Sequence, residues 1–181
     1  MKKISDISLK YDIIVINHYI GGFYMIEKSK VACFSGHRIL PKDCTEIQSE
    51  LESAVRTLIE QGVVFFGAGG ALGFDMLAEE TILRMKEKYP QIRLVLVLPC
   101  PPEQQTLKWN NSQRQQYNDI LKRADKVRIL SDEYTKDCML DRNRHLVDNS
   151  GHLVCYLRNN RGGTFYTARY AEQKGLNILR I

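Results

Sequence analysis

Four glycines lie within seven residues, directly after the apolar run Val63–Phe66. They are Gly67, Gly69, Gly70 and Gly73. Apolar residues then recur on one side of a helix, so the pattern predicts a strand, a glycine loop and a helix. Backbone N–H groups of such a loop can approach an anion closely, and the helix start adds roughly half a positive charge. This chemistry favours a phosphate group, although the glycines could also serve only a tight turn.

The spacing of this glycine loop differs from the two common phosphate-binding fingerprints. No acidic residue ends a strand about twenty residues further on, as in dinucleotide-binding proteins, and no Gly-Lys-Ser/Thr closes the loop as in a P-loop. Asp75 lies at the start of the predicted helix, where a carboxylate would repel a phosphate. We therefore expect Asp75 to contact ribose hydroxyls or to order the loop.

Two other segments place similar chemistry after predicted strands. The run Val31–Phe34 ends in Ser35, Gly36, His37 and Arg38, and the carboxyl ends of strands are where ligands bind in an open α/β sheet. An arginine there can clamp a phosphate with two hydrogen bonds, and the histidine can donate one. The alternative is that the histidine caps the loop while the arginine faces solvent. A second glycine pair, Gly162 and Gly163, precedes Thr164 and another helix, which suggests a two-part phosphate cradle.

Two further positions belong to this predicted site. Pro99 follows the apolar strand Arg93–Leu98, and a rigid turn there would hold the edge of a ligand. On the predicted helix Leu140–Asp148, Asn143 lies on the inward side and Arg142 lies on another face. The sequence leaves two alternatives for Arg142 and Asn143: they contact the ligand, or they lie on a solvated helix surface.

Strands and helices alternate along the chain, which predicts a parallel sheet. The predicted fold is a three-layer α/β domain with a mostly parallel sheet of about six strands and helices on both faces. The strands are expected at 31–34, 63–66, 93–98, 126–130, 152–157 and 177–181, and the helices at 45–61, 74–88, 117–124, 140–148 and after 164. Trp109 lies in a polar segment before the fourth strand. It either stacks on a base or pins that segment onto the domain.

Composition limits the alternatives only broadly. The chain has 181 residues and a formal net charge of +5, which suits one domain and a phosphorylated ligand or weak nucleic-acid contact. Five widely spaced cysteines without a C-x-x-C pair favour reduced thiols in the cytoplasm and give no indication of a metal site. No apolar run is long enough to span a bilayer, so we expect no membrane partner.

The first 29 residues differ from the rest of the chain. We expect an N-terminal extension over 1–29, followed by one ligand-binding domain over 30–181. Met25 leads directly into the first predicted strand, so we hypothesise that it is the working start and that residues 1–24 precede it as an arm or an annotation artefact.

The glycine and arginine motifs, taken in order, resemble the SLOG superfamily, a Rossmann-like group that includes the DprA DNA-processing proteins, the LOG phosphoribohydrolases and a YpsA-like branch. The resemblance covers about residues 30–181 and is strongest to the YpsA-like branch. The segments that carry it are 35–38, 69–75, the Pro99 turn, 140–144 and 162–164.

This resemblance implies a Rossmann-like fold that binds a nucleotide or nucleotide-derived ligand between the two glycine motifs. LOG enzymes carry a catalytic glutamate two or three residues after the threonine, whereas here Phe165, Tyr166 and Thr167 follow and the next acid is Glu172. The expected function is therefore a cytosolic binding module, with a sensor or adaptor role, possible homo-oligomers and no certain cofactor besides the ligand. The alternatives are a nucleotide-processing hydrolase that uses Asp75 or Asp141, and DprA-like DNA binding, which net charge alone supports. The residues expected to contact the ligand are Ser35, Gly36, His37, Arg38, Gly67, Gly69, Gly70, Gly73, Asp75, Pro99, Arg142, Asn143, Gly162, Gly163 and Thr164.

Overall fold

The computed structural model describes residues 26–181, which form a six-stranded, fully parallel sheet. The strands are β1 (Val31–Gly36), β2 (Phe65–Ala68), β3 (Arg93–Leu98), β4 (Lys126–Ile129), β5 (His152–Tyr156) and β6 (Asn177–Arg180). The helices are α1 (Thr45–Glu60), α2 (Phe74–Met85), α3 (Pro102–Gln105), α4 (Asn111–Arg123), α5 (Cys138–Asp148) and α6 (Gly162–Gln173). The predicted Rossmann-like α/β class is confirmed.

The strand order is β4-β3-β2-β1-β5-β6. From β1 the chain moves outward through β2 and β3 to β4, and then returns to the other side of β1 as β5. The direction of winding therefore reverses between β1 and β5. In open α/β sheets, a crevice forms at such a reversal, outside the carboxyl ends of the strands.

Both faces of the sheet are covered by helices, and β3 shows the consequence for the sequence. Leu94, Leu96 and Leu98 join the cluster that contains residues of α1 and α2, whereas Val95 and Val97 join the cluster that contains residues of α5 and α6. Successive side chains of a strand point to opposite faces, so a strand covered on both sides is apolar throughout. This is why the inner strands are visible in the sequence as continuous apolar runs.

Helix boundaries differ from the prediction where polar residues form the helix. The fourth helix, α4, begins at Asn111, six residues before the apolar periodicity indicates it. A capping box explains the difference, because Asn110 accepts a hydrogen bond from the Gln113 backbone N–H and the Gln113 side chain accepts one from Asn110. In contrast, α2 ends at Met85 rather than at residue 88.

The proposed start at Met25 lies outside the described residues, and the 1–29 boundary stays a prediction. Within the described part, Lys28–Lys30 forms a 3₁₀ turn that leads into β1. Gly151 lies against this turn, since a Cβ atom there would come within 2.5 Å of the Lys28 carbonyl oxygen. Over residues 26–181, no helix is both long enough and apolar enough to cross a bilayer.

Candidate ligand-binding cleft

A cavity of about 410 Å³ lies at the reversal between β1 and β5. The end of β1 and the loop after it, the start of α2 with Ala71 before it, the segment before α5, and the starts of α5 and α6 form its walls. The residues that line it are Phe34, Ser35, Gly36, His37, Arg38, Ala71, Asp75, Lys136, Met139, Leu140, Arg142, Asn143, Arg161, Gly162, Gly163 and Thr164. Ten of the fifteen residues predicted from the sequence therefore line one cavity.

The second glycine loop, Arg161–Thr164, opens α6 toward this cavity. Gly162 and Gly163 are exposed, and a Cβ atom at either position would meet nothing within 4 Å. The Thr164 hydroxyl donates a hydrogen bond of 2.9 Å to the Gly36 carbonyl oxygen, which fastens the helix start to β1. No side chain caps α6 within the described part of the chain. Its first backbone N–H groups are thus available to an anion.

The first glycine loop, Gly67–Gly73, is closed by side chains of the protein itself. The Gly70 N–H donates to Glu79 Oε1 at 2.8 Å, and Gln105 Nε2 donates to the Gly70 carbonyl oxygen at 2.6 Å. The backbone of Gly69 hydrogen-bonds to the Asp75 carboxylate. None of the four glycines lines the cavity. In this loop, the backbone N–H groups that were expected to hold a phosphate donate instead to carboxyl groups of α2.

Arg142 and Asp75 form a buried ion pair beside this loop. Arg142 Nη1 lies 3.2 Å from Asp75 Oδ2, and the side chains are only 5% and 9% exposed. The guanidinium crosses directly over Gly69, where a Cβ atom would overlap it. Burial raises the pKa of the Asp75 carboxyl, while Arg142 and the backbone of Gly69 and Ala71 act in the opposite direction. Arg142 is therefore not on a solvated helix surface, and the Asp75 carboxylate accepts hydrogen bonds from the loop backbone.

Glu79 belongs to the same network and was missed by the sequence analysis. It is fully buried, and its Oε2 atom has no hydrogen-bond partner among the described residues. Burial, together with the nearby Asp75 carboxylate, raises the pKa of Glu79 well above its ordinary value. A signal was present, because an acid four residues after Asp75 falls on the apolar side of α2.

The loop after β1 packs against the start of α2. Gly36 leaves room for the Phe74 ring, and Gly73, with a φ of 83°, leaves room for the carbonyl groups of His37 and Arg38. The His37 imidazole accepts a hydrogen bond of 2.9 Å from the Arg158 backbone N–H through Nε2. Because Nε2 already accepts a hydrogen bond from the protein backbone, His37 fits the alternative in which it caps the loop.

The remaining predicted residues divide between the cavity and the scaffold. Asn143 lines the cavity, and its amide donates to the Thr167 hydroxyl at 3.0 Å. Pro99 is buried and lines neither this cavity nor the adjoining one. Lys136 and Arg161, which were not predicted, are exposed cations on the cavity wall.

A second cavity, of about 680 Å³, adjoins the first. The two share Arg38, Ala71 and Met139. The larger one is lined mainly by apolar and aromatic side chains, including Trp109. The Trp109 ring also packs edge to face on Tyr117, with 5.3 Å between the ring centroids, so it pins its segment onto the core.

Residues 39–178 match the profile of the YspA SLOG family, which covers well over half of the chain. The chain belongs to this family. One relative, a UPF0398 protein of Halalkalibacterium halodurans, is 32% identical over 133 residues, which make up 72% of this chain and 69% of the relative. A UPF0398 protein of Brevibacillus brevis is 26% identical over 72% of the chain and 70% of its own length. The predicted YpsA-like branch of SLOG is confirmed.

Two solved structures share the fold of this chain. DNA processing protein A from Helicobacter pylori, solved in a study of its single-stranded DNA binding mode, superposes with a TM-score of 0.58 at 19% identity over 83% of this chain. DprA from Streptococcus pneumoniae gives a TM-score of 0.60 at 14% identity over 82% of this chain. This chain spans 64% and 49% of those two proteins. At such identities the likeness concerns the fold.

Proposed function

We propose that this protein is a binding module for a phosphorylated, nucleotide-derived ligand whose phosphate lies between the start of α6 and Arg38. The observation that carries the proposal is the open helix start at Gly162–Thr164, which faces a cavity lined by cations. Backbone N–H groups and the positive end of the helix both favour an anion at this point.

The charges of the cavity support an anionic ligand. Four cations line it, and Asp75 is its single acidic lining residue. Arg142 is paired with that carboxylate. The other three, Arg38, Lys136 and Arg161, form no salt bridge within residues 26–181. A surplus of positive charge at a concave site attracts phosphate and strengthens its hydrogen bonds.

Binding without hydrolysis fits this arrangement better than a phosphoribohydrolase does. Asp75, the carboxylate that reaches the cavity, is held by Arg142 and by loop backbone. Asp141 is paired with Arg144 and does not line the cavity. Incubation with nucleoside monophosphates should accordingly release no free base, and release detected by chromatography would favour the enzyme.

The test is ligand-induced stabilisation, with ribose 5-phosphate and AMP as probes. Each should raise the melting temperature, since a ligand at 100 times its Kd adds about 2.7 kcal/mol of stability. Arg38→Ala should weaken both probes about tenfold or more, because a hydrogen bond to a charged group contributes about 1.5–3 kcal/mol. Gly163→Asp should abolish binding by placing a carboxylate at the helix start, where space is open.

Arg56→Ala is the matched control, because Arg56 is an exposed arginine of α1 outside the cleft. It should bind both probes like the wild type. Failure of both probes to bind, or wild-type affinity in Arg38→Ala, would contradict the proposal.

Single-stranded DNA is the second candidate ligand, because one structural relative was studied for binding it. A gel shift at two salt concentrations separates the candidates. DNA held through phosphates dissociates steeply as salt rises. Tight DNA binding that AMP does not displace would favour the DNA function.

A further inference from the structure

The larger cavity has the chemistry of a site for a flat ring. Trp109 and Tyr134 contribute aromatic side chains to its wall, and Leu72, Leu107 and Met139 contribute aliphatic ones. Its volume of about 680 Å³ is in the usual range of small-molecule sites, which are mostly apolar with a few polar groups. Leu107 and Tyr134 are 72% and 56% exposed, so apolar surface is left in contact with water at its mouth.

The backbone at Tyr134 is tied to the cavity wall by a hydrogen bond. Its N–H donates a hydrogen bond of 2.6 Å to Gln104 Oε1, and Gln104 itself lines the cavity. The neighbouring wall is held in a similar way, because the Arg114 guanidinium donates to the carbonyl oxygens of Thr106 and Leu107. The backbone that carries Tyr134 and Leu107 is thus anchored to neighbouring side chains.

Charge distinguishes the two cavities and orients a ligand across them. Glu103 and Lys108 line the larger cavity and offset each other, whereas the smaller one has a surplus of cations. Arg38 lies on the shared wall, within reach of both. A molecule with a phosphate at one end and an uncharged ring at the other matches this division.

We infer that the larger cavity, lined by Trp109, Tyr134 and Leu107, is the nucleobase subsite of the same cleft, so that the ligand class is a nucleoside phosphate. This inference rests on the proposed function, because the smaller cavity must hold the phosphate. Bases stack on aromatic side chains with little dependence on sequence, and a guanidinium can add a stacking contact. The ring therefore contributes affinity that a sugar phosphate alone lacks.

Tryptophan fluorescence tests the inference directly, because Trp109 is the only tryptophan in the sequence. AMP should quench its emission and bind about tenfold or more tightly than ribose 5-phosphate. Ribose 5-phosphate should raise the melting temperature without quenching. Hexyl phosphate, an aliphatic probe, should bind more weakly than AMP.

Two surface variants separate the subsites. Leu107→Ala and Tyr134→Ala should each lower the affinity for AMP several-fold and leave ribose 5-phosphate unaffected. Ile39→Ala is the matched control, since Ile39 is 89% exposed next to the cleft and lines neither cavity. It should bind both probes normally.

Each alternative result has one meaning. Equal affinity for AMP and ribose 5-phosphate without quenching would overturn the nucleobase subsite and leave the proposed function standing. Hexyl phosphate that binds as tightly as AMP would show an apolar subsite with no preference for rings, which also overturns the inference. Binding of neither ribose 5-phosphate nor AMP would overturn the proposed function itself.

Discussion

The two glycine loops of this protein look alike in the sequence and differ in the structure. Gly69 and Gly70 are buried, and acidic side chains of the following helix take up their backbone donors. Gly162 and Gly163 are exposed, and the space around them is open. Both loops follow a strand and begin a helix, yet only the second presents its donors to the cavity.

The difference lies in what the helix after each loop carries. In α2, the carboxyl groups of Asp75 and Glu79 turn back toward the loop and accept the hydrogen bonds that its backbone could otherwise donate to a phosphate. The first three residues of α6 carry no acid, so the corresponding place stays open. Glycine spacing therefore predicts a loop with free backbone donors, and the acids after it decide whether those donors bond to the protein itself or to a ligand.

The largest loss of stability is expected when Gly73, a glycine with positive φ in the first glycine loop, is replaced by alanine. Gly73 and Gly162 have φ angles of 83° and 85°, but only at Gly73 would a Cβ atom lie 2.4 Å from a backbone carbonyl oxygen, that of Arg38. Gly73→Ala should cost about 4 kcal/mol or more, because backbone must move, and Gly162→Ala about 1–2 kcal/mol. Urea denaturation measures both. Equal losses of stability in the two variants would contradict the close contact between Gly73 and the backbone of the loop after β1.

A somewhat smaller loss is expected when the buried ion pair is broken. Arg142→Met leaves Asp75 buried without its cation and should cost about 3–5 kcal/mol in urea denaturation. Adding Asp75→Asn should restore part of this loss, because the uncompensated charge is removed. The control is Arg144→Met, whose ion-pair partner Asp141 is exposed, and it should cost less than about 1 kcal/mol. A small effect of Arg142→Met would show that this pair does not hold the loop closed.

The smallest of the three effects depends on pH. The pKa of Glu79 is raised in the folded state, so its contribution to stability is complete below its ordinary value of 4.5 and is lost as pH rises toward the raised value. Glu79→Gln keeps an oxygen acceptor for Gly70 without a charge. Its stability relative to wild type should increase above pH 4.5, by about 1.4 kcal/mol per pH unit until the raised pKa is reached.

Thermal unfolding across pH 4–9 checks this slope, and Glu87→Gln, on the surface, controls for the change in net charge. If the stability of Glu79→Gln and of the wild type changed with pH in parallel, the raised pKa of the buried Glu79 carboxyl would be contradicted.

Much of the fold could be predicted from the sequence. Apolar runs marked the four inner strands, because a strand covered on both faces shows no polar alternation, whereas the edge strands β4 and β6 are shorter apolar segments flanked by charged or polar residues. Gly62 marked the end of α1. The order of the strands could not be read in the same way, because periodicity is local and nothing within β1 specifies that β5 lies beside it. The early start of α4 was missed because its first two turns are polar and exposed except for Gln113, which is part of the cap.

The site was predicted less evenly. Residues of the segments that follow strands, such as Arg38 after β1 and Thr164 after β5, do line one cavity, because topology alone gathers the carboxyl ends of parallel strands. The closure of the first loop was not predictable from spacing, since Gln105 reaches Gly70 across 35 positions and Arg142 reaches Asp75 across 67. Such partners become visible only when the chain is folded.

The guanidinium that lies over Gly69 also has an evolutionary consequence. Gly69, Asp75 and Arg142 lie together in one small volume. Because Gly69 has no side chain, the Arg142 guanidinium fits beside it, and Asp75 neutralises the charge of that guanidinium. A change at any of the three alone leaves either a clash or an isolated charge. Lineages of this protein should therefore exchange these residues together or keep all of them, even where the surrounding surface has diverged freely.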